Sequence, residues 1–299
     1  MRSPDKGTNQ NGRGKKRRRL ALPLFLLMLA AFVAALYAYD RLGEDPDARA
    51  IRIERAQRYA TVAMGLALPG TPDLKSLSNR LTAHGVKLGD PIFLRIFKRD
   101  FELELWMQRD GRFLKFATYP ICRWSGKLGP KLKTGDHQAP EGFYSVDARA
   151  LNPNSRWHRS FNLGFPNAFD EAHQRTGSFL MVHGGCGSVG CYAMTNPVID
   201  EIWRIVTAAL EGGQKRFQVQ VFPFRMTDAN LEKRRDSPHA AFWKDLKKGH
   251  DLFDAEYLPP RVSVCGRRYQ FEPAGNDADG SAAIAVRCPD QPTGRAKKA

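Results

Sequence analysis

Acidic residues are nearly missing from one end of this 299-residue chain: residues 1–19 hold one acid, Asp5, against eight Lys or Arg. The chain as a whole carries 47 basic and 31 acidic side chains, a formal balance of +16. The first 19 residues supply +7 of it, leaving +9 for the remainder. The basic excess is therefore largely a property of the tail, and no nucleic-acid partner is expected for the folded part. Long apolar runs are also scarce. Outside residues 20–39 no stretch is long and apolar enough to span a bilayer, which excludes a polytopic membrane protein. No internal repeat occurs, which excludes solenoids and propellers. Hydrophobic residues at 42% and charged residues at 26% exclude a disordered or collagenous chain.

The one uncharged run reads LALPLFLLMLAAFVAALYAY over residues 20–39. About 20 apolar residues cross a bilayer core as a helix. The preceding KKRRR favours a cytoplasmic start. A cleaved signal peptide has an apolar region of roughly 7–15 residues and a small-residue cleavage site. This run is longer, and Val33-Ala34-Ala35 makes a poor site, so an uncleaved transmembrane anchor is expected, with a secreted, cleaved form as the alternative. Residues 40–299 then lie outside the cytoplasm, in a periplasmic or extracellular space.

Cysteines are few and odd in number: Cys122, Cys186, Cys191, Cys265 and Cys288. In an oxidising compartment four would pair and one would stay free. Cys265 and Cys288, 23 positions apart, make the plainest disulfide. Cys122 reads either as a buried thiol or as a partner of Cys186, and Cys186 alternatively as a redox partner of a nucleophile.

Periodicity divides the rest. Residues 40–90 read as a polar helical stalk followed by a Pro-punctuated segment. From 91 to 223 the pattern is mostly strands. Ile92, Leu94 and Ile96 alternate with Phe93, Arg95 and Phe97, and a second alternation runs from Phe101 to Met107. Asp110-Gly111 is a two-residue hairpin signal. One helix interrupts: Asn196 can cap it, Pro197 suits its first turn, and Val198, Ile199, Ile202, Ile205, Val206 and Ala209 recur at helical spacing. Residues 224–275 form a C-terminal extension with one more helix, HAAFWKDLKKG, and residues 276–299 read as a loose tail. The expected fold is mainly β, of mixed sheets with few helices, plus one N-terminal transmembrane helix.

Chemistry concentrates in residues 178–196, SFLMVHGGCGSVGCYAMTN. A short strand delivers His183, and Gly184, Gly185, Gly187 and Gly190 let the backbone turn tightly and approach a ligand. Three readings arise. A Cys nucleophile with a His base is served by a lowered thiol pKa from a nearby imidazolium or helix N-terminus, with backbone N–H groups as an oxyanion hole. A zinc site of His183, Cys186 and Cys191 would have H-x2-C-x4-C spacing, which is not a common structural pattern. A glycine-rich turn with a cysteine pair and a buried histidine is the third.

The segment resembles the active-site signature of the YkuD-type L,D-transpeptidases, in Val182-His183-Gly184 and Ser188-Val189-Gly190-Cys191. It is more closely similar to the YafK-type subgroup, whose pattern HG-x-C-x-S-x-G-C-Y-A-M-T is met from His183 to Thr195. ICRWSGKLGPKLKTGDHQAPEGFYSV upstream, and FWKDLKKGHDLF and PPRVSVCGRRYQF downstream, resemble the same subgroup, so the likeness covers roughly 90–272. It implies Cys191 as nucleophile, His183 as the proton acceptor and donor, and Gly184 as the source of the carbonyl that orients the imidazole. Ser188 and Gly190 match the turn that presents the thiol, and Tyr192 packs over that thiol or into the core.

This chain departs from the wider family at Val189, where a second histidine is usual, and at Ala193, where an Arg or Asn often meets a substrate carboxylate. Its His-to-Cys interval is also shorter. The subgroup shares these departures, and its members are implicated in cutting a diaminopimelate-linked amide. The implied function is a periplasmic, peptidoglycan-directed cysteine acyltransferase acting on diaminopimelate-containing stem peptides. An amidase releasing diaminopimelate-linked protein or peptide is the alternative; a wall-binding module and a zinc hydrolase rank below. No metal or other cofactor is expected. His137, Arg156 and His158 are candidate substrate contacts, with Arg159 and Arg175 also able to meet stem-peptide carboxylates and His173 in the same loop.

Overall fold

The computed structural model describes residues 23–35, 45–274 and 280–288. The basic tail at 1–19, the flanks 20–22 and 36–39 of the expected span, and parts of the expected loose tail lie outside the described residues. Two units are distinguished, Met1–Arg49 and Ala50–Ala299. In the first, residues 23–35 form helix α1, along which Leu24, Phe25 and Leu27 are exposed. No helix among the described residues is itself long and apolar enough to cross a membrane.

The second unit is built from three sheets. Helix α2 (Pro46–Ala63) leads into it, followed by α3 (Leu77–His84). The first sheet holds β1 (Ile92–Phe97), β2 (Glu102–Arg109), β3 (Arg112–Pro120), β5 (Gly142–Asp147) and β10 (Arg216–Phe222), in the order β3-β2-β1-β10-β5. The second holds β4 (Arg123–Trp124), β6 (Leu151–Ser155), β7 (His158–Asn162), β8 (Met181–His183) and β9 (Tyr192–Ala193), in the order β4-β9-β8-β7-β6. The expected Asp110-Gly111 hairpin joins β2 to β3. Both turn residues take positive φ, 52° and 80°, as a tight hairpin turn requires.

All six residues of β1 are buried, the charged Arg95 included. The sheet is covered on both faces, so the alternating sequence faces two cores. Ile92, Leu94 and Ile96 join Phe161, Val182, Tyr192 and Ile199 in the core between the two large sheets. On the other face, Phe97, Phe143 and Phe222 pack with Trp243 and Leu246 of α7 (Ala240–Glu256), and Phe93 packs on Phe253. Arg95 survives there by pairing with Asp254 at 2.7 Å. Each fully buried large apolar side chain contributes about 1.5–3 kcal/mol.

Helix α5 (Asn196–Glu211) turns Val198, Ile199, Ile202, Ile205, Val206 and Ala209 inward, as its spacing predicts. Its N-cap is Thr195, not the expected Asn196. Asn196 is engaged elsewhere, as described below. Helix α7 runs on past the expected HAAFWKDLKKG, and its Gly249 faces Phe271 and Phe143, where a Cβ would sit 2.4 Å and 2.6 Å from their rings. The short helices α4 (Ala168–Ala172) and α6 (Asp228–Glu232) complete the α-helices of the described residues.

The third sheet, β11 (Arg261–Cys265), β12 (Arg268–Glu272) and β13 (Ala285–Val286), has the order β12-β11-β13. Val262, Val264 and Tyr269 share a core with Phe143 and Phe222. The C-terminal extension is thus packed onto the first sheet. Residues 280–288, expected in a loose tail, instead return as β13, parallel to β11, and end at Cys288 bonded to Cys265 with a Cα–Cα distance of 5.0 Å.

Candidate active site

Strands β8 and β9 are parallel neighbours, with Val182 opposite Tyr192 and His183 opposite Ala193. Parallel strands ordinarily need a crossover of a dozen or more residues. Here residues 184–191 alone close the return, and Gly185 (φ 75°) and Gly190 (φ 94°) take the left-handed conformations that so short a path demands. Cys186, within the return, is bonded to Cys122, with 5.3 Å between Cα atoms. Cys191 is the only free cysteine among the described residues.

The register fixes the geometry of the pair. Cys191 immediately precedes β9 and lies beside Met181, whose N–H donates to its Sγ at 3.4 Å. Extending the strand alternation by that one residue puts Cys191 and His183 on one face of adjacent strands, diagonal to each other. The Cys191 thiol donates to the Phe179 carbonyl at 3.6 Å. His183 Nδ1 donates to the Gly184 carbonyl at 2.6 Å. A carbonyl only accepts, so this bond places the ring proton of the neutral imidazole on Nδ1 and leaves Nε2 as the acceptor.

Both groups are buried, and burial decides their charge state. It pushes the His183 imidazole below its ordinary value, with the Gly184 carbonyl opposing. It pushes the Cys191 thiol up, with the Met181 amide and the Lys131 charge opposing. The resting pair is therefore neutral thiol and neutral imidazole. The lowered thiol pKa anticipated from the sequence is not what this environment gives. At the start of α5, Asn196 Oδ1 accepts from Gly185 N at 2.7 Å, tying the helix to the glycine-rich return.

Ser188 holds the turn. Its Oγ donates to the Cys191 carbonyl at 2.7 Å and accepts from Cys191 N at 3.1 Å. Its remaining partner, Ser125 Oγ at 2.8 Å, must then be the donor. The Cys191 amide is occupied in this arrangement. The amides of Val189 and Gly190 make no backbone hydrogen bond among the described residues, which leaves them available to a ligand oxygen.

The other candidates are placed as follows. Tyr192 is in the core, its Oη donating to Pro140 O at 2.6 Å, and does not cover the thiol. His137 is exposed at a left-handed turn (φ 54°). Arg156 is exposed on the β6–β7 turn, 5.6 Å above Trp157. His158 Nε2 and Arg159 Nε both meet Asp200 Oδ1 of α5, at 2.8 Å and 3.3 Å, so both are engaged within the protein. Arg175 is buried against Asp170 at 2.8 Å, and His173 donates to Arg267 O at 2.8 Å; both serve packing.

Four residues of the neighbourhood escaped the sequence reading. Trp157 lies with its ring 5.7 Å from that of His183 and covers Gly187, whose hypothetical Cβ would be 3.4 Å from it. Lys131 is buried, and its charge acts on the thiol. Lys98 and Glu141 form a fully buried pair at 2.9 Å beneath the 125–141 segment. Positions 43 apart carry no local pattern that would join them.

Among the described residues no group of His, Cys, Asp and Glu is arranged to hold a metal. The candidate zinc ligand Cys186 is bonded to Cys122 and has no thiolate to offer.

The L,D-transpeptidase catalytic domain pattern (YkuD) matches residues 99–222. YafK of Escherichia coli, in strain K12 and in strain O157:H7, is 45% identical over 206 residues, which cover 69% of this chain and 81% of the relative. Among solved structures, the helical cell shape determining protein Pgp2 of Campylobacter jejuni aligns at 21% identity and TM-score 0.37, over 59% of this chain and 63% of that one. Bd1075 of Bdellovibrio bacteriovorus aligns at 21% identity and TM-score 0.34, over 55% and 60%. With nearly half of its aligned residues shared with YafK across most of both chains, and with the catalytic-domain pattern running through the His183–Cys191 return, this protein belongs to the YkuD-type L,D-transpeptidase family.

Proposed function

We propose that this protein is a cell-wall cysteine acyltransferase that acts on diaminopimelate-containing stem peptides of peptidoglycan through a thioester on Cys191. The observation that carries the reading is the free Cys191 thiol on the strand face it shares with His183, whose Nδ1 proton is locked on Gly184 O at 2.6 Å.

The neutral resting pair sets the order of events. The substrate carbonyl, at the L-centre of diaminopimelate, arrives first. The Cys191 proton then moves to His183 Nε2 as sulfur bonds to carbon, so the thiolate need not exist beforehand. The tetrahedral oxyanion accepts from the backbone amides of the 188–190 turn. Its collapse breaks the C–N bond, and the His183 imidazolium returns the proton to the leaving amine. A second amine or a water then attacks the thioester, with His183 as base. An amine gives transpeptidation and water gives hydrolysis. No step calls for a metal or an organic cofactor. Support for export and anchoring comes from the uncharged 20–39 run behind KKRRR and the helical, outward apolar side chains of 23–35. The catalytic unit then acts in the periplasm.

The test is incubation of the purified protein with tetrapeptide stems and with a diaminopimelate-linked protein fragment, products being read by mass. Cys191→Ala should abolish both turnover and the covalent adduct with a carbapenem, an acylating agent of this family. An adduct that survives Cys191→Ala and disappears in Cys186→Ala would refute the assignment.

A further inference from the structure

A groove runs along the face of the first sheet that is turned away from the second. Arg95 on β1 and Glu104 on β2 are direct cross-strand partners, and Trp106 is opposite Phe93, so these side chains share that face. Across from them α7 presents Lys247, His250, Asp251 and Asp254, the i, i+3, i+4, i+7 stripe of one helix face. Tyr257, the C-cap of α7, and Arg225, just past β10, complete the lining of a cavity of about 600 Å³. A second cavity of about 320 Å³ shares Asp228, Lys247 and Asp251 with it and continues along α6 and α7. The two make one trough.

Charge is balanced along its length. Arg95 pairs with Asp254 at 2.7 Å, and Arg225 pairs with Glu104 at 2.6 Å and also with Glu102. Lys247 pairs with Asp251 at 2.5 Å and Asp228 at 3.4 Å, and His250 Nδ1 meets Asp251 at 3.0 Å. A ligand carboxylate would lie among Glu104, Asp228, Asp251 and Asp254 with their counter-ions already engaged. An ammonium would lie among Arg95, Arg225 and Lys247 in the same position. Either would have to break an existing pair. Hydroxyl groups need not, because each both donates and accepts and can bridge the members of a pair. Asp251 and Asp254 are half exposed, so their carboxylates are open to such groups.

The other feature of the trough is aromatic. Trp106 is half-buried, and its N–H is spent on Glu104 Oε2 at 3.1 Å, so it offers the groove an apolar ring. Tyr257 lies 6.4 Å from it, ring to ring. Tyr257 takes the left-handed conformation (φ 54°) at a helix end where glycine is usual. A large ring is nonetheless kept there, 45% exposed. Open aromatic faces beside paired charges suit a pyranose, which has apolar C–H faces and a rim of hydroxyls.

We propose that the trough between β2 and α7 binds a neutral glycan chain, its sugar faces on Trp106 and Tyr257 and its hydroxyls on Asp251 and Asp254. The bound sugar is a holdfast and not a substrate. Ile92, Leu94 and Ile96 of β1 face the core between the two large sheets, whereas Arg95 faces the trough, so the first sheet separates the trough from Cys191. The proposal stands apart from the acyl-transfer reading.

The experiment is calorimetry on the full chain, in a detergent without a sugar headgroup, with the tetrasaccharide of N-acetylglucosamine. Binding is expected, with equal affinity at low and high salt because the ligand carries no charge. Tyr257→Gly removes the ring at a backbone position that glycine favours, and it keeps the carbonyl that accepts from Phe113 N at 2.9 Å. It should weaken the tetrasaccharide at least about 10-fold, as loss of an aromatic anchor does, while urea unfolding shows a folded protein. Tyr257→Phe should bind as the wild type does. Both variants should form the Cys191 carbapenem adduct at the wild-type rate. No binding of the tetrasaccharide, equal binding by Tyr257→Gly, or its displacement by a sugar-free stem tetrapeptide would overturn the glycan site. Tetrasaccharide binding by a wild type that forms no adduct would overturn the acyl-transfer reading and leave the glycan site in place.

Discussion

Replacing Lys98 should cost this protein far more than a lysine usually does. Its ammonium is fully buried and donates to Gly129 O at 2.9 Å, Ala139 O at 3.0 Å and Glu141 Oε1 at 2.9 Å. Glu141, equally buried, also accepts from Gly129 N at 2.7 Å and from Trp243 Nε1 at 2.9 Å. Lys98→Met leaves the Glu141 charge without its counter-ion, and breaking a buried pair in this way costs about 3–5 kcal/mol. Two carbonyls of the 125–141 segment lose a donor as well. Glu141→Gln strands the ammonium and should cost a similar amount. The double variant removes both charges and keeps a side-chain carbonyl for Trp243. Its loss should therefore fall short of the sum of the singles by at least about 2 kcal/mol, the coupling expected of groups in one network. Urea unfolding of the three variants and the wild type measures all four corners of the cycle. Additive losses would show that the pair is not the unit described. The same segment carries Ser125, which holds Ser188, and Pro140, which holds Tyr192. Turnover by Lys98→Met should thus fall even at temperatures where the protein remains folded.

Four other outcomes can be checked. Iodoacetamide alkylation of Cys191 should stay slow at neutral pH and climb only above pH 9, because burial raises the thiol above its ordinary 9.0; a fast plateau near pH 7 would reveal a preformed thiolate. His183 is held neutral in the fold, so below its ordinary 6.5 the unfolded chain takes up the proton first, and its share of stability should decline from pH 6.5 down to the depressed folded value; a stability curve in which His183→Gln leaves that acid slope unchanged would refute it. The Cys265→Ser/Cys288→Ser variant should lose about 3 kcal/mol, from a bridge closing about 24 residues, with turnover at low temperature nearly unchanged. The anchor is checked by fractionation: a mature chain beginning near Leu36 in the soluble periplasmic fraction would contradict it.

Much of this arrangement was legible in the sequence where the signal is local. Asp110-Gly111 fixed its hairpin because few residues besides Gly, Asn and Asp tolerate φ > 0 twice in succession. The apolar stripe of α5 showed which face it buries, and the crowding of glycines between His183 and Cys191 announced a strained return. What stayed hidden depends on distant partners. Asn196 looked like a cap because its neighbours are those of a helix start, yet its side chain serves Gly185, eleven positions earlier. Lys98 and Glu141 carried no signal, since nothing in either segment tells of the other. The charge state of Cys191 was misread for a related reason: burial is set by the whole core, and it outweighs the local turn.

A cysteine that must act as a nucleophile is also exposed to every oxidant in its surroundings, and oxidants react with the thiolate. The same burial that keeps Cys191 protonated therefore works as chemical protection. In the oxidising compartment proposed for this chain, two bridges take up the four remaining cysteines. In the acyl-transfer reading proposed above, the fifth stays unreactive until a carbonyl stands before it. The reactivity of the site is then a property of the complex with its substrate, and the free protein can wait in the envelope without being spent.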